Sequence, residues 1–150
     1  MLKLFANREI LSWSFYDWAN SAFATTVIAG FFPVFFKQYW ANSQTEVEST
    51  FYLGLVNAIA SLVIVIFAPL LGALADRLSR RKKMLMSFAV LGILMTAGLS
   101  LLAEGAWVAA LLLYFFALIG FSGSNIFYDS LILNVASLNQ VDRVSSMGFA

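Results

Sequence analysis

The chain has 150 residues, 61% of them hydrophobic and only 11% charged, with a formal net charge of +1. Soluble domains carry about 25% charged and roughly 45–50% apolar residues. This composition therefore excludes an ordinary soluble enzyme domain and a disordered chain, and its small net charge argues against nucleic-acid binding. Cys and His are absent. Their absence removes disulfides, iron–sulfur clusters, Cys-ligated zinc, imidazole relays and most haem sites, so no cofactor or metal is expected.

Four apolar stretches run over about 11–36, 51–75, 84–103 and 107–136. Each reaches the roughly 20 residues that a membrane-spanning helix needs. Helices are the economical choice because hydrocarbon offers no partner to backbone N–H and C=O groups. The alternation expected of a barrel strand is missing.

The first stretch carries Asp17 and Asn20, and its far end holds Gly30 and Pro33. A central Asp costs about 2.5–3.5 kcal/mol on insertion. Ten Leu, Ile, Val and Phe residues between Leu11 and Phe36 offset that with little surplus, so this helix is expected to need partner helices. The second stretch contains Pro69, which predicts a bend near its exit. The third is the cleanest. Nine Leu, Ile, Val and Phe residues between Leu85 and Leu102 favour insertion by roughly 3–5 kcal/mol. Its Gly92, Thr96 and Ser100 form a small-residue packing stripe. The fourth stretch holds Gly120, Ser122, Gly123 and Ser124 in mid-span, where a local kink is predicted. Asn57 and Ser61 on the second helix are expected to bond across helices. The many Phe residues are expected mainly as lipid-facing bulk.

Orientation follows from the bases in short loops. Arg77, Arg80, Arg81, Lys82 and Lys83 follow the second stretch, and Lys3 and Arg8 precede the first. The other two loops carry mainly Glu46, Glu48 and Glu104. The N-terminus and the Arg/Lys loop are therefore expected in the cytoplasm, and a bacterial plasma membrane fits. After a polar turn at Asn139–Arg143 the chain becomes apolar again near Val144. A fifth helix is expected to start there, with residues 1–150 as the N-terminal part of a longer protein.

The Arg/Lys loop is ordered. It reads Gly72-Ala-Leu-Ala-Asp76-Arg77-Leu-Ser-Arg80-Arg81-Lys82. Gly72 allows a close helix approach, and Asp76 is placed to pair with Arg80 one turn on or to cap the next turn. This segment resembles the loop 2–3 signature of the major facilitator superfamily, with Ser79 where that family usually has Gly. The resemblance implies an all-α integral membrane fold, with these four helices part of the N-terminal six-helix half. It also implies that Gly72, Asp76, Arg77, Arg80 and Arg81 act as a conformational latch between two halves.

A second constellation lies inside the membrane. Asp17 and Asp129 both sit roughly 10 Å deep from the Arg/Lys side at about 1.5 Å per residue, and Asn20 and Asn125 lie slightly deeper. Asp17, Asn20, Ser21 and Thr25 share one face of helix 1; Ser122, Asn125 and Asp129 share one face of helix 4. Intramembrane acids usually face a cavity or each other, so helices 1 and 4 are expected to line one polar cavity. Its acids would take a proton, a cation or a cationic group of a small-molecule substrate. In the major facilitator fold these same two helices line the cavity.

Helix 1, reading Ser14-Phe-Tyr16-Asp17-Trp18-Ala19-Asn20-Ser21-Ala22-Phe23-Ala-Thr25, is similar to the opening helix of the vacuole-effluxer branch of that superfamily. Phe127-Tyr128 on helix 4 is similar to it too, although the branch usually has Asn where this chain has Asp129. The branch implies a secondary transporter working by alternating access, with amino-acid export the nearest analogy. Helix 4 lacks the Arg of the antiporter type. No phosphate loop, metal cluster or nucleophile–base pair is present, so an enzyme is not expected. Two alternatives stay open at this level: a complete four-helix exporter acting as a homo-oligomer, and a membrane scaffold.

Overall fold

The structure is a computed structural model, and it describes residues 8–78 and 80–135. Among these residues it is all helical and free of strands. Four helices are long and apolar enough to cross a membrane, over Ile10–Trp40, Glu46–Arg77, Arg81–Leu99 and Trp107–Leu131. We label the four helices α1 to α4. The expected polar turn at Asn139–Arg143 and the helix start near Val144 lie outside the described residues, as does Ser79.

Helix α1 changes character along its length. Arg8–Ala22 is α-helical, Phe23–Phe31 is π-helical, Phe32–Phe35 returns to α and Phe36–Trp40 is π again. The Phe32 N–H reaches back five residues to the Val27 carbonyl. Pro33 lacks an N–H and its ring crowds the carbonyl four residues back; the widened turns straddle that position. Gly30 fits them, since a Cβ there would lie 3.2 Å from the Thr25 carbonyl oxygen. The distortion expected at Gly30 and Pro33 thus takes the form of π-helix.

Helix α2 (Glu46–Leu78) starts five residues before the apolar stretch does. Thr45 and Glu48 account for this. The Thr45 N–H donates to the Glu48 carboxylate at 2.9 Å, and the Glu48 N–H donates to the Thr45 hydroxyl at 3.3 Å. That reciprocal capping box satisfies two free N–H groups at the helix start. Pro69 lies inside α2 without ending it. Helix α3 (Arg81–Leu99) stops four residues before the apolar stretch does. Tight turns follow it, and Gly105 (φ +80°) donates its N–H to the Tyr39 carbonyl at 3.1 Å. Asn42 also donates to the Glu104 carboxylate. The two loops at the end remote from the Arg/Lys loop are thereby tied together.

Helix α4 (Trp107–Val135) is the hub. In its most apolar window 44% of the residues are buried, against 11–17% in the other three. It packs most extensively on α3, then on α2 and on α1. The predicted kink at Gly120–Ser124 is not present as a break, because α4 is one continuous α-helix. The small residues there serve close approach instead. A Cβ on Gly120 would lie 2.4 Å from the Gly92 nitrogen, and one on Gly123 would lie 2.3 Å from the Phe88 ring. Gly92 of the predicted stripe is therefore a packing residue against the α4 backbone.

Two apolar cores flank this contact. One gathers Phe32, Phe36, Trp40, Leu53, Leu99 and Tyr114 at the end remote from the Arg/Lys loop. The other gathers Ile10, Trp13, Ala75, Leu85, Phe127 and Tyr128 near that loop. Phe32, Phe36 and Phe127 are thus core residues, contrary to the reading of Phe as lipid-facing bulk, while Phe15, Phe31, Phe51, Phe67 and Phe116 are exposed as that reading expects. Trp13 and Trp40 are buried in these cores too. The Tyr114 hydroxyl reaches Asn57 at 3.5 Å, the cross-helix bond expected of that Asn; Ser61 is exposed.

Candidate functional site

The seam between α1 and α4 carries the polar residues that the sequence singles out. The Asn20 amide N–H donates to the Asn125 side-chain oxygen at 2.5 Å, joining the two helices inside the span. The helices run antiparallel. Three residues back along α1 and three forward along α4, Asp17 comes level with Tyr128. One residue further on each, Tyr16 comes level with Asp129. The chain thus presents Phe-Tyr-Asp twice, at 15–17 and 127–129, head to tail across one helix pair.

Packing fixes this register. The Trp13 ring stacks on Tyr128 at 4.4 Å between centroids, and Tyr16 stacks on the same ring at 5.2 Å. Two rings of α1 thus stack on Tyr128. The Trp13 indole N–H donates to the Tyr128 carbonyl at 3.4 Å. Asp17 is half-buried and Asp129 exposed. Both carboxylates lie in electrostatic range of the Tyr128 hydroxyl and of each other. The Tyr16 hydroxyl lies within hydrogen-bond reach of Ser124 and the Tyr128 hydroxyl within reach of Asp17. The buried Ser14 hydroxyl and Trp40 indole nitrogen have no hydrogen-bond partner among the described residues.

A cavity of about 340 Å³ lies beside the seam, between α1, α3 and α4. Its wall is mostly apolar, with Tyr16, Asn20, Thr96 and Ser124 as its polar groups. A second space of about 330 Å³ continues along the π-helical part of α1, past Val27, Phe31 and Thr96. Of the seven predicted cavity residues, Asn20 lines the first space, and Asp17, Ser21, Thr25, Ser122, Asn125 and Asp129 do not. Ser21 and Thr25 are exposed, and the Thr25 hydroxyl donates back to its own helix at Ser21. Ser122 is half-buried, whereas Ser124, two positions along on a different face, is buried on the cavity wall. Sequence reasoning missed Trp13, Tyr16, Tyr128 and Ser124. The repeated Phe-Tyr-Asp triplet was the signal available for the two tyrosines.

At the Arg/Lys end the pairing differs from expectation. Asp76 pairs with Arg81, not Arg80, at 2.6 Å. Arg80 has left the helix (φ −120°, ψ 25°) and its N–H bonds the Ala75 carbonyl, so the one-turn spacing that favours an i,i+4 pair is broken. Arg81 is the first residue of α3. It also donates to the Ser130 carbonyl on α4 at 3.0 Å. Its guanidinium thus ties together the end of α2, the start of α3 and the stretch of α4 next to Asp129. Arg77 is exposed. The close approach expected at Gly72 is not made within the described residues, since nothing lies within 4 Å of a Cβ placed there.

The family described as "Vacuole effluxer Atg22 like" matches residues 6–143. The chain belongs to the vacuole effluxer family. It is 38% identical over 150 residues to a protein of Bacillus subtilis (strain 168) that carries the name uncharacterized MFS-type transporter YxiO. That match covers 99% of this chain and 35% of the relative. An uncharacterized protein of Aquifex aeolicus (strain VF5) is 32% identical over 124 residues, covering 83% of this chain and 30% of its own length. The vacuole-effluxer chain thus spans about a third of the length of these curated relatives. No solved structure matches it significantly.

Proposed function

We propose that residues 1–150 are the N-terminal part of a secondary transporter of the major facilitator type. In this reading the protein sits in a bacterial plasma membrane with its N-terminus and Arg/Lys loop in the cytoplasm. It moves a small solute by alternating access between two halves, and export of amino acids is the first substrate class to try. Helices α1 and α4 line the path. Asp17, Asn20, Ser21, Thr25, Ser122, Asn125 and Asp129 face it when the remaining helices are in place, and the acids read a cation gradient, a proton in the simplest case.

The observation that carries this reading is the Asn20–Asn125 bond, which pairs α1 with α4 at the depth of two membrane-embedded acids. A lipid-facing seam has no use for such groups, because each costs about 2.5–3.5 kcal/mol in hydrocarbon. A scaffold would not need them. The lengths of the bacterial relatives also fit a protein about three times this chain. Gly72, Asp76, Arg77, Arg80 and Arg81 form the latch in this account. The open side of Gly72 is where a helix of the second half would approach.

The test is uptake into proteoliposomes holding the full-length protein, with a mixture of radiolabelled amino acids and an imposed cation gradient. Saturable uptake that Asp17→Asn abolishes supports the reading. Full coupled uptake by both Asp17→Asn and Asp129→Asn would remove the acids from it.

A further inference from the structure

The junction of α2 and α3 carries more positive charge than its own contacts use. From Asp76 to Lys83 there is one acid against five bases, and no further acid follows until Glu104 at the other end of α3. That acid is already taken, because Asp76 pairs with Arg81, whose guanidinium also bonds Ser130. Arg77, Arg80, Lys82 and Lys83 are exposed and make no ion pair among the described residues. Helix α3 is not stabilised by its two lysines. They stand in its first turn, at the positive end of its dipole, where a cation is disfavoured, and Arg80 supplies no side-chain cap.

The surroundings of these bases point to their partner. The span of α2 ends at Arg77 and that of α3 begins at Arg81. The four steps between them reach at most about 14 Å even if fully extended, so the bases are held at the level of the lipid headgroups. Each helix also continues from a base into an exposed apolar stripe. On α3, Met86, Val90 and Leu94 follow Lys83 at three, seven and eleven residues; on α2, Leu74, Leu70 and Ile66 precede Arg77 at the same intervals. These intervals keep each stripe on the face of its base. A stripe of eleven residues rises about 16 Å, close to the roughly 15 Å of one leaflet's hydrocarbon. Both stripes face away from the packing surfaces. Gly92, which lies against the α4 backbone, is two residues from Val90 and from Leu94 and so across the helix from them. Gly72 stands in the same relation to Leu70 and Leu74.

We propose that Arg77, Arg80, Lys82 and Lys83 form a binding surface for the headgroup of an anionic phospholipid, whose acyl chains lie along the stripes below. A soluble phosphate would match the bases and leave the stripes without a purpose. An acidic protein segment would have to enter the headgroup layer to reach them. The surface goes beyond the transport reading and stands or falls without it.

The test is native mass spectrometry of the full-length protein released from nanodiscs of equal parts phosphatidylglycerol and phosphatidylcholine. Purified protein already inserted in nanodiscs removes any effect of the bases on membrane topology. Retention of phosphatidylglycerol over phosphatidylcholine is expected. Lys82→Gln and Lys83→Gln should each weaken phosphatidylglycerol binding by about fivefold and leave phosphatidylcholine binding unchanged. The double variant Lys82→Arg/Lys83→Arg keeps the charge and should keep the preference. Raising the salt from 0.1 M to 1 M should diminish it, because the screening length falls from about 10 Å to about 3 Å. Equal retention of the two lipids, an undiminished preference in the double variant Lys82→Gln/Lys83→Gln, or displacement of phosphatidylglycerol by soluble glycerol phosphate would overturn the proposal.

Discussion

Two glycines that touch each other should respond to the same substitution in opposite ways. A Cβ on Gly120 would lie 2.4 Å from the Gly92 nitrogen, 2.7 Å from the Gly92 Cα and 2.8 Å from the Phe88 carbonyl oxygen. All three are backbone atoms, so no side-chain rotation relieves the clash. Ordinary contact begins near 3.5 Å, so α3 and α4 must part by about 1 Å, which forfeits a quarter to a half of each van der Waals well along the contact. Overpacking of this kind costs about 1–3 kcal/mol, and the unyielding backbone puts Gly120→Ala near the top of that range. Ala gains about 1 kcal/mol in helix propensity over Gly. The net loss is about 2 kcal/mol. A Cβ on Gly92 points elsewhere and meets its nearest atoms at 3.5–3.6 Å, which is ordinary contact. Gly92→Ala should therefore be neutral or stabilising by up to about 1 kcal/mol. Reversible unfolding of the full-length protein in mixed micelles, read by far-UV circular dichroism, measures both. Equal stability for Gly120→Ala and the parent, or a larger loss for Gly92→Ala, would refute the packing argument.

Three further outcomes follow from named contacts. In a double-mutant cycle of Asn20→Ala and Asn125→Ala, the same unfolding assay should give a coupling of about 0.6 kcal/mol and at most about 1.7, the range for bonds between membrane helices; zero coupling would mean that the bond does not form. Arg81→Ala should lower stability more than Arg80→Ala does, because Arg81 donates to both Asp76 and Ser130. The exposed ion pair contributes only about 0–1 kcal/mol and the Ser130 bond adds to it, so the opposite order in thermal melts would refute the assignment. Thr45→Val should cost about 1 kcal/mol through loss of the α2 capping box, with amide exchange quickened at the first turn of α2.

Much of the architecture was readable from hydropathy, because a bilayer imposes length and apolarity on every span. All four spans lie within a few residues of their predicted limits. The differences have local causes that hydropathy does not register. Thr45 and Glu48 carry α2 back into polar sequence through a cap, and Gly105 turns the chain early after α3. The Asp76 partner was misread because spacing rules assume an unbroken helix, and Arg80 stands at the break. The pairing of α1 with α4 was legible from matched depths of Asn20 and Asn125. The Trp13–Tyr128–Tyr16 stack was not, since it joins residues more than a hundred positions apart and aromatic side chains near span ends read equally well as interfacial anchors.

The central claim is that α1 and α4 line a path that opens to each side of the membrane in turn. Ser21→Cys and Ser122→Cys, each alone in a full-length background free of other cysteines, test it through labelling by a membrane-impermeant thiol reagent added from one side or the other. The account predicts labelling from both sides, with the favoured side reversing when the cation gradient is reversed. Labelling from one side only under both gradients, or none at either position, would contradict it.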